Sequence, residues 1–335
     1  MKLILPEYYK KFKCIAEKCS DNCCVGWEIY IDDKTAETYK TEKGKFGEKL
    51  RNNIDFDEQC FKIDDRRRCS FLNENNLCDI IISLGEDKLC EICDRHPRYF
   101  EWLDDRIEGG IGLCCEEAAR LILGADNFET YETAAPRSLC CGDEDEERSD
   151  ELFYEFMKQA REKIISLFAD REIPLAESLG MLCRYAEILQ DRADEYEISD
   201  VPDIENDGRD FDTEKAIKLM IEAEPAETGQ REFFQELFKF SDIDDLAAKN
   251  DKELRNIAVY FIRRYFMKAV FSGNIYPKVM LAVFGVRVIN RMFNYEKIRS
   301  GSIDFEKKCS LAKMFSKIVE YSEENLWLIL ENYEY

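Results

Sequence analysis

Histidine is almost absent from this chain: His96 is the only one among 335 residues. A zinc site built on imidazoles is therefore excluded, and a hydrolase triad has only this residue to be built around. Long apolar runs are missing as well. The longest, Val279-Met280-Leu281-Ala282-Val283-Phe284-Gly285-Val286, falls well short of a membrane span. The N-terminal Met1-Lys2-Leu3-Ile4-Leu5-Pro6-Glu7 turns polar too soon for a signal peptide, so a soluble, cytoplasmic protein with no membrane partner is expected. Clustered bases are scarce. The net charge is -23, and the one tight basic run, Arg66-Arg67-Arg68, is flanked by Asp64 and Asp65. Nucleic acid is thus not an expected partner, because counterion release needs a basic footprint. An acidic surface favours a lysine-bearing protein or a cationic small molecule, and it also keeps a chain in solution. Neither the dinucleotide nor the P-loop glycine fingerprint occurs, and no repeat of solenoid period is visible.

Cysteine is what the chain has in excess. Eleven of the fifteen lie at Cys14, Cys19, Cys23, Cys24, Cys60, Cys69, Cys78, Cys90, Cys93, Cys114 and Cys115, too densely for packing alone. A disulfide scaffold is the competing explanation, but a chain of this length buries an ample core without staples. Cysteine pairs in cytosolic proteins more often bind metal or do redox chemistry. Thiolates four, three, two or no residues apart can converge on one soft ion or cluster, and four-thiolate coordination serves both structural zinc and iron-sulfur centres. The two-ligand clip Cys90-x2-Cys93 gains weight beside Cys14-x4-Cys19-x3-Cys23-Cys24 and Cys69-x8-Cys78. Neither the Cys14 to Cys24 group nor the Cys69 to Cys93 group is complete alone, so the two are expected to bracket one centre. Cys23 and Cys24 would point apart in extended backbone, dividing between metal and core. Cys60 and Cys140-Cys141 stand outside the spacing and are assigned structural or incidental roles, while Cys183 and Cys309 sit in helical patterns as small buried apolar residues.

The fold class expected is mainly α. Residues 1–141 form a cysteine-rich metal or iron-sulfur domain of short helices and at most a small hairpin, and residues 151–335 form a helical bundle. The acidic run over residues 143–151 marks the boundary as a solvated connection that caps the next helix. Apolar residues then recur at three and four from Leu152 to Phe168, again over residues 254–271 and 278–293, and finally over residues 323–332. Pro277 opens one of these helices, Gly273-Asn274 separates two, and residues 191–212 read as a long loop. The hairpin is expected at Arg98-Tyr99-Phe100-Glu101-Trp102-Leu103, turning at Asp104-Asp105 into Arg106-Ile107-Glu108. Gly109-Gly110-Ile111-Gly112 reads as a flexible turn that lets Cys114 and Cys115 swing toward a metal.

Four ordered strings carry a family resemblance. They are Phe12-Lys13-Cys14 through Cys19-Ser20-Asp21-Asn22-Cys23-Cys24-Val25-Gly26-Trp27-Glu28-Ile29; Cys69-Ser70-Phe71-Leu72 with Leu77-Cys78-Asp79-Ile80; Leu89-Cys90-Glu91-Ile92-Cys93-Asp94-Arg95-His96-Pro97-Arg98; and Cys115-Glu116-Glu117-Ala118-Ala119-Arg120-Leu121. Over about the first 125 residues the chain resembles flagellin lysine N-methylase, and its N-terminal part is similar to the zinc- or iron-chelating cysteine-cluster family. The resemblance implies methyl transfer from S-adenosyl-L-methionine to lysine side chains of flagellin, in a protein carrying an iron-sulfur cluster, 4Fe-4S in first place and zinc as the alternative. The positions that match the family's cysteines are Cys14, Cys19, Cys23, Cys24, Cys69, Cys78, Cys90, Cys93 and Cys115. Glu116 stands where the family usually has Pro, and Cys114 where it has a small polar residue, which leaves open which of Cys114 and Cys115 faces a metal.

Nine thiolates exceed the four that one cubane or one zinc ion takes. The radical-enzyme spacing Cys-x3-Cys-x2-Cys is absent, so a radical mechanism is not expected. Methylation needs a deprotonated lysine amine, whose ordinary pKa is about 10.4, and hence burial or a proton acceptor. Glu116, Glu117 and Arg120 can border such a pocket, but capping and solvation account for acids in a first helical turn, and no catalytic or cofactor-binding residue is assigned. The rival function is a non-catalytic zinc- or iron-binding or electron-transfer module with a helical interaction domain.

Overall fold

Leu3 and Leu5 are buried with Ile4 half-buried between them, and this segment, Lys2–Pro6, forms the first strand, β1. The computed structural model describes residues 1–20, 22–26, 28–136, 139, 150–240 and 251–335. After β1 come α1 (Asp33–Thr41), α2 (Gly44–Asn53), β2 (Ile54–Asp55), β3 (Cys60–Phe61), α3 (Asp79–Leu84) and α4 (Glu91–Arg95). Then follow β4 (Arg98–Trp102), β5 (Arg106–Ile111), α5 (Glu116–Gly124) and β6 (Thr130–Ala134). The rest is helical: α6 (Glu151–Ala169), α7 (Leu175–Asp194), α8 (Thr213–Glu222), α9 (Gln230–Phe238), α10 (Lys252–Tyr265), α11 (Ala269–Ser272), α12 (Ile275–Ser300), α13 (Phe305–Glu320) and α14 (Glu323–Glu331).

The chain divides into two compact units, and neither is one continuous stretch. One contains Met1–Phe12, Phe100–Cys114 and Ala118–Tyr335; the other, the cysteine unit, contains Lys13–Tyr99 and Cys115–Glu117. Of the connection expected at residues 143–151, residues 143–149 lie outside the described residues, as do Cys140 and Cys141, and at its end Asp150 caps α6.

The helices expected over residues 152–168, 278–293 and 323–332 are present as α6, α12 and α14, while the one expected over 254–271 is divided into α10 and α11 by a 3-10 turn at Phe266–Lys268. The longest helix, α12, packs on α10 and α7, and Gly285 makes room for the Phe261 ring: a Cβ there would stand 2.7 Å from Cε2. Pro277 sits in the first turn of α12, where its missing N–H costs nothing. The long connection expected over residues 191–212 is present at 195–212, because α7 runs on to Asp194. Cys183 and Cys309 are buried in α7 and α13, as expected of small apolar residues.

Strand content exceeds a small hairpin. The hairpin itself is present, with Leu103 and Arg106 exchanging backbone hydrogen bonds of 2.9 and 3.3 Å. It belongs to a four-stranded mixed sheet in the order β4-β5-β1-β6, where β1 runs parallel to β5 and antiparallel to β6. Leu3, Leu5 and Ile107 bury one face with Leu139. Sequence reasoning missed β1 because it is short and ends in Pro6, and β6 because it is an exposed, polar edge. The glycine cluster is not a flexible turn: Gly109 and Gly110 lie within β5. A Cβ on Gly109 would meet Phe100 Cδ1 at 2.7 Å, so close packing accounts for that glycine.

One buried ion pair anchors β5 to α6. Arg161, nearly inaccessible, grips Glu108 through two hydrogen bonds of 2.5 and 2.7 Å, and Arg106 Nε adds a third at 2.8 Å. Burial pushes the Glu108 carboxyl up, but Arg161 and then Arg106 outweigh it and hold the carboxyl below its ordinary value.

The cysteine unit has a different construction. Its core combines Ile29, Ile31, Tyr39, Leu50, Ile54, Phe61, Phe71 and Ile80 with two thiols, Cys69 and Cys90, while Cys24, Cys78 and Cys93 pack against it half-buried. Its elements are too short to carry periodicity.

Candidate functional site

Backbone pairing brings the first two cysteine groups together. Cys69 N–H donates to Cys24 O at 2.8 Å, Gly26 N–H donates to Arg67 O at 2.9 Å, and Val25 bridges Arg68 between them. Gly26 has φ 98°, a conformation that strains other residues, so the chain leaves this pairing through a glycine. Cys23 and Cys24 lie in a turn. Their thiols are hydrogen-bonded to each other, which corrects the expectation that adjacent cysteines would point apart.

The Cys69-x8-Cys78 segment folds back on itself. Asp79 N–H donates to Phe71 O, Leu72 bridges Cys78, and the Asn73 side chain accepts from the N–H groups of Asn75 and Leu77 across the turn. Cys78 is then the N-cap residue of α3, and Cys90 the N-cap residue of α4. Across α4 the Cys90 and Cys93 thiols hydrogen-bond to each other.

Six thiols therefore share one neighbourhood. The Cys24 thiol is pushed up by its hydrogen bond to Cys23, then by burial, then by charge on Cys23, Cys69 and Cys93. Cys93 is pushed up by its bond to Cys90, by burial, and by Cys90, Cys69 and Cys23. Burial takes Cys69 to about 11, against a hydrogen bond from Phe71, with Cys78, Cys90 and Cys23 adding to the rise. Burial also raises Cys78, against N–H groups of Ile81 and Ile80. Cys90 moves down, because Cys93 donates to it. Burial and the thiol–thiol hydrogen bonds, with a lesser part from mutual repulsion, thus favour the thiol form at Cys24, Cys69, Cys78 and Cys93 in the absence of a cation.

The remaining sequence candidates are placed by other contacts. Cys14 is exposed, and Cys115 is half-buried just before α5. Cys19 Sγ lies 3.7 Å from Glu116 Oε2, the same oxygen that accepts from Ser20 N–H at 2.9 Å and Ser20 Oγ at 2.5 Å. Glu116 is therefore a buried fastener for the Cys19 loop rather than a solvated first-turn acid. Arg120 pairs with Glu306 at 2.7 Å. Cys114 is buried in the larger unit, where burial takes its thiol to about 11, Glu320 adds to the rise and Tyr321 hydrogen-bonds it. Cys60 is held in β3, paired with Asp55 and bridging Tyr30. Asp21 and Trp27 lie outside the described residues. Among the described residues, no three Cys, His, Asp or Glu side chains form a ready ligand shell.

The larger unit has a cleft of about 290 Å³ lined by Asp251, Asn290, Phe293, Asn294, Lys297 and Lys308, with Gly301-Ser302-Ile303 on its rim. Burial, then Glu253, pushes the Asp251 carboxyl up to about 6. Its contacts are those of a helix cap: Oδ1 accepts from the N–H groups of Glu253 and Leu254, and Lys308 stands 3.6 Å from Oδ2. No helix among the described residues is long and apolar enough to cross a membrane.

Fold and thiol grouping together define a helix-rich protein with a small sheet and a cysteine-lined core in one of its two units. The likeness to known proteins lies with flagellar biosynthesis and lysine methylation. Over 128 residues, 35% of this chain, it is 27% identical to a flagellar biosynthetic protein, FliU, of Salmonella muenchen, covering 75% of that protein. At the same identity and length it matches the lysine-N-methylases of Salmonella typhimurium strain LT2 and Salmonella choleraesuis strain SC-B67, spanning 31% of each. No protein-family profile matches the chain, and no solved structure matches it.

Proposed function

We propose that the chain is a lysine N-methyltransferase that takes its methyl group from S-adenosyl-L-methionine and acts on flagellin. The observation that carries this reading is the 128-residue likeness to proteins named lysine-N-methylase and to FliU. In the reaction the lysine Nζ lone pair forms a bond to the sulfonium methyl carbon as the carbon–sulfur bond breaks. S-adenosylhomocysteine leaves, and the amine gives up a proton to a base. Without a glycine-rich dinucleotide turn, the methyl donor's site is of a different construction from that of Rossmann-type enzymes.

The same reading includes a thiophilic centre, an iron-sulfur cluster in first place and zinc in second, with ligands drawn from Cys23, Cys24, Cys69, Cys78, Cys90 and Cys93. The donor chemistry fits: soft thiols, buried at Cys69 and Cys90, half-buried at Cys24, Cys78 and Cys93 and exposed at Cys23, stand close enough for their thiolates to repel one another, and a cation would relieve that repulsion. Ligation would replace the two thiol–thiol hydrogen bonds, releasing the protons to solvent. A bound centre supplies cross-linking, so that its binding energy becomes folding energy for a unit with short elements. Incubating the protein with methyl-labelled S-adenosyl-L-methionine and flagellin tests the enzymatic part. Label in methyl-lysine is the expected result, and none from anaerobically purified, metal-replete protein would leave the metal-binding module as the function.

A further inference from the structure

Helix α1 braces the Cys90-x2-Cys93 clip from outside. Asp32, the N-cap of α1, accepts from Thr35 N–H at 3.0 Å through Oδ1. Its second oxygen, Oδ2, accepts from Glu91 N–H at 3.0 Å. Cys90 is the N-cap of α4 but makes no side-chain cap bond, so Asp32 supplies the cap from another helix. Two turns along the same face of α1, Tyr39 is fully buried and its hydroxyl donates to Lys88 O at 2.6 Å. One helix thus grips both flanks of Cys90, the carbonyl two residues before it and the N–H just after it.

Neither side chain is a soft metal donor aimed at the thiols: the Asp32 oxygens and the Tyr39 hydroxyl are engaged by backbone. We infer that Asp32 and Tyr39 are positioning residues for metal ligation by Cys90 and Cys93, an inference that rests on the thiolate-centre reading above. A clip whose backbone is fixed before the ion arrives loses little entropy on binding, and outer partners of this kind typically carry about 10–100-fold in metal affinity.

The test uses the full chain, prepared anaerobically and metal-free, and titrated with Co(II) and with Zn(II) against a chromophoric chelator. Tyr39→Phe removes only the hydroxyl. Asp32→Ser keeps an N-cap for α1 and withdraws the cap from α4. Glu37→Gln, exposed on the same helix, sets the baseline. Tyr39→Phe and Asp32→Ser should weaken metal binding about 10–100-fold and shift the Co(II) d–d bands, which report ligand geometry. Metal-free unfolding of Tyr39→Phe, followed in parallel, should change far less than its affinity does. Affinities and Co(II) spectra within twofold of Glu37→Gln would overturn the positioning role while leaving the centre intact. A wild-type chain that binds neither ion would overturn the thiolate centre itself, and this inference with it.

Discussion

The larger unit and the cysteine unit solve the problem of a core differently. The larger unit buries whole helical faces, with α12 against α10 and α7, and needs only a few polar anchors such as Arg161 with Glu108. The cysteine unit has no helix longer than ten residues among those described. It fills its centre with thiols beside Tyr39, Phe61 and Phe71 and joins its segments by caps, turns and single backbone bridges. Stability in the first follows from area removed from water; in the second, the proposed centre would add its binding energy to that of a small core.

The largest expected effect separates the units by metal. Stripping metal from anaerobic protein should lower hydrogen-exchange protection in α1 to α4 by at least tenfold and leave α10 and α12 unchanged. Equal loss in both units would break the comparison. Next in size is Glu108→Gln, which leaves Arg161 buried without its counter-charge and should cost about 3–5 kcal/mol, read from urea unfolding. The pH dependence has a definite sign. Glu108 is held below its ordinary 4.5 in the folded state, so its contribution is complete above that value and drains away as pH falls further. An unfolding free energy for the wild type no more acid-sensitive than for Glu108→Gln would contradict this. Gly285→Ala forces a Cβ against the Phe261 ring and should cost about 1–3 kcal/mol by thermal or urea unfolding, with no change in bound metal. The smallest effect is expected at Cys60, outside the thiol neighbourhood. Cys60→Ser should shift stability by no more than about 0.5 kcal/mol and leave metal content as it was.

The same contrast explains what could be read from sequence. Periodicity at three and four exposed α6 and α14, which bury one side, while α10 and α12 are buried nearly all round and were legible as long apolar segments parted at Gly273-Asn274. The hairpin was legible from Asp104-Asp105, but its place in a mixed sheet was not, because β1 and β6 pair with strands about a hundred residues away or more. In the candidate site, residue type and spacing singled out Cys14 and Cys19 along with the six clustered thiols, and the family resemblance added Cys115; sequence alone could not divide these nine. Nor could it show that Cys23 and Cys24 face each other, which depends on a turn, or that Cys114 belongs to the larger unit while Cys115 belongs to the other. Asp32 and Tyr39 were missed as site-shaping residues, and Glu116, named as a pocket border, was set aside as solvated. Each acts on backbone or side-chain groups 49 to 97 positions away, and no local pattern records such a contact.

The central claim is that Cys23, Cys24, Cys69, Cys78, Cys90 and Cys93 serve one centre. Metal, iron and acid-labile sulfide measured on anaerobically purified wild type and Cys93→Ser test it most directly. The account predicts stoichiometric iron with sulfide, or zinc, in the wild type, and a marked loss in Cys93→Ser together with lower hydrogen-exchange protection across the cysteine unit. Full metal content in Cys93→Ser, or a wild-type protein that is folded and metal-free, would contradict it.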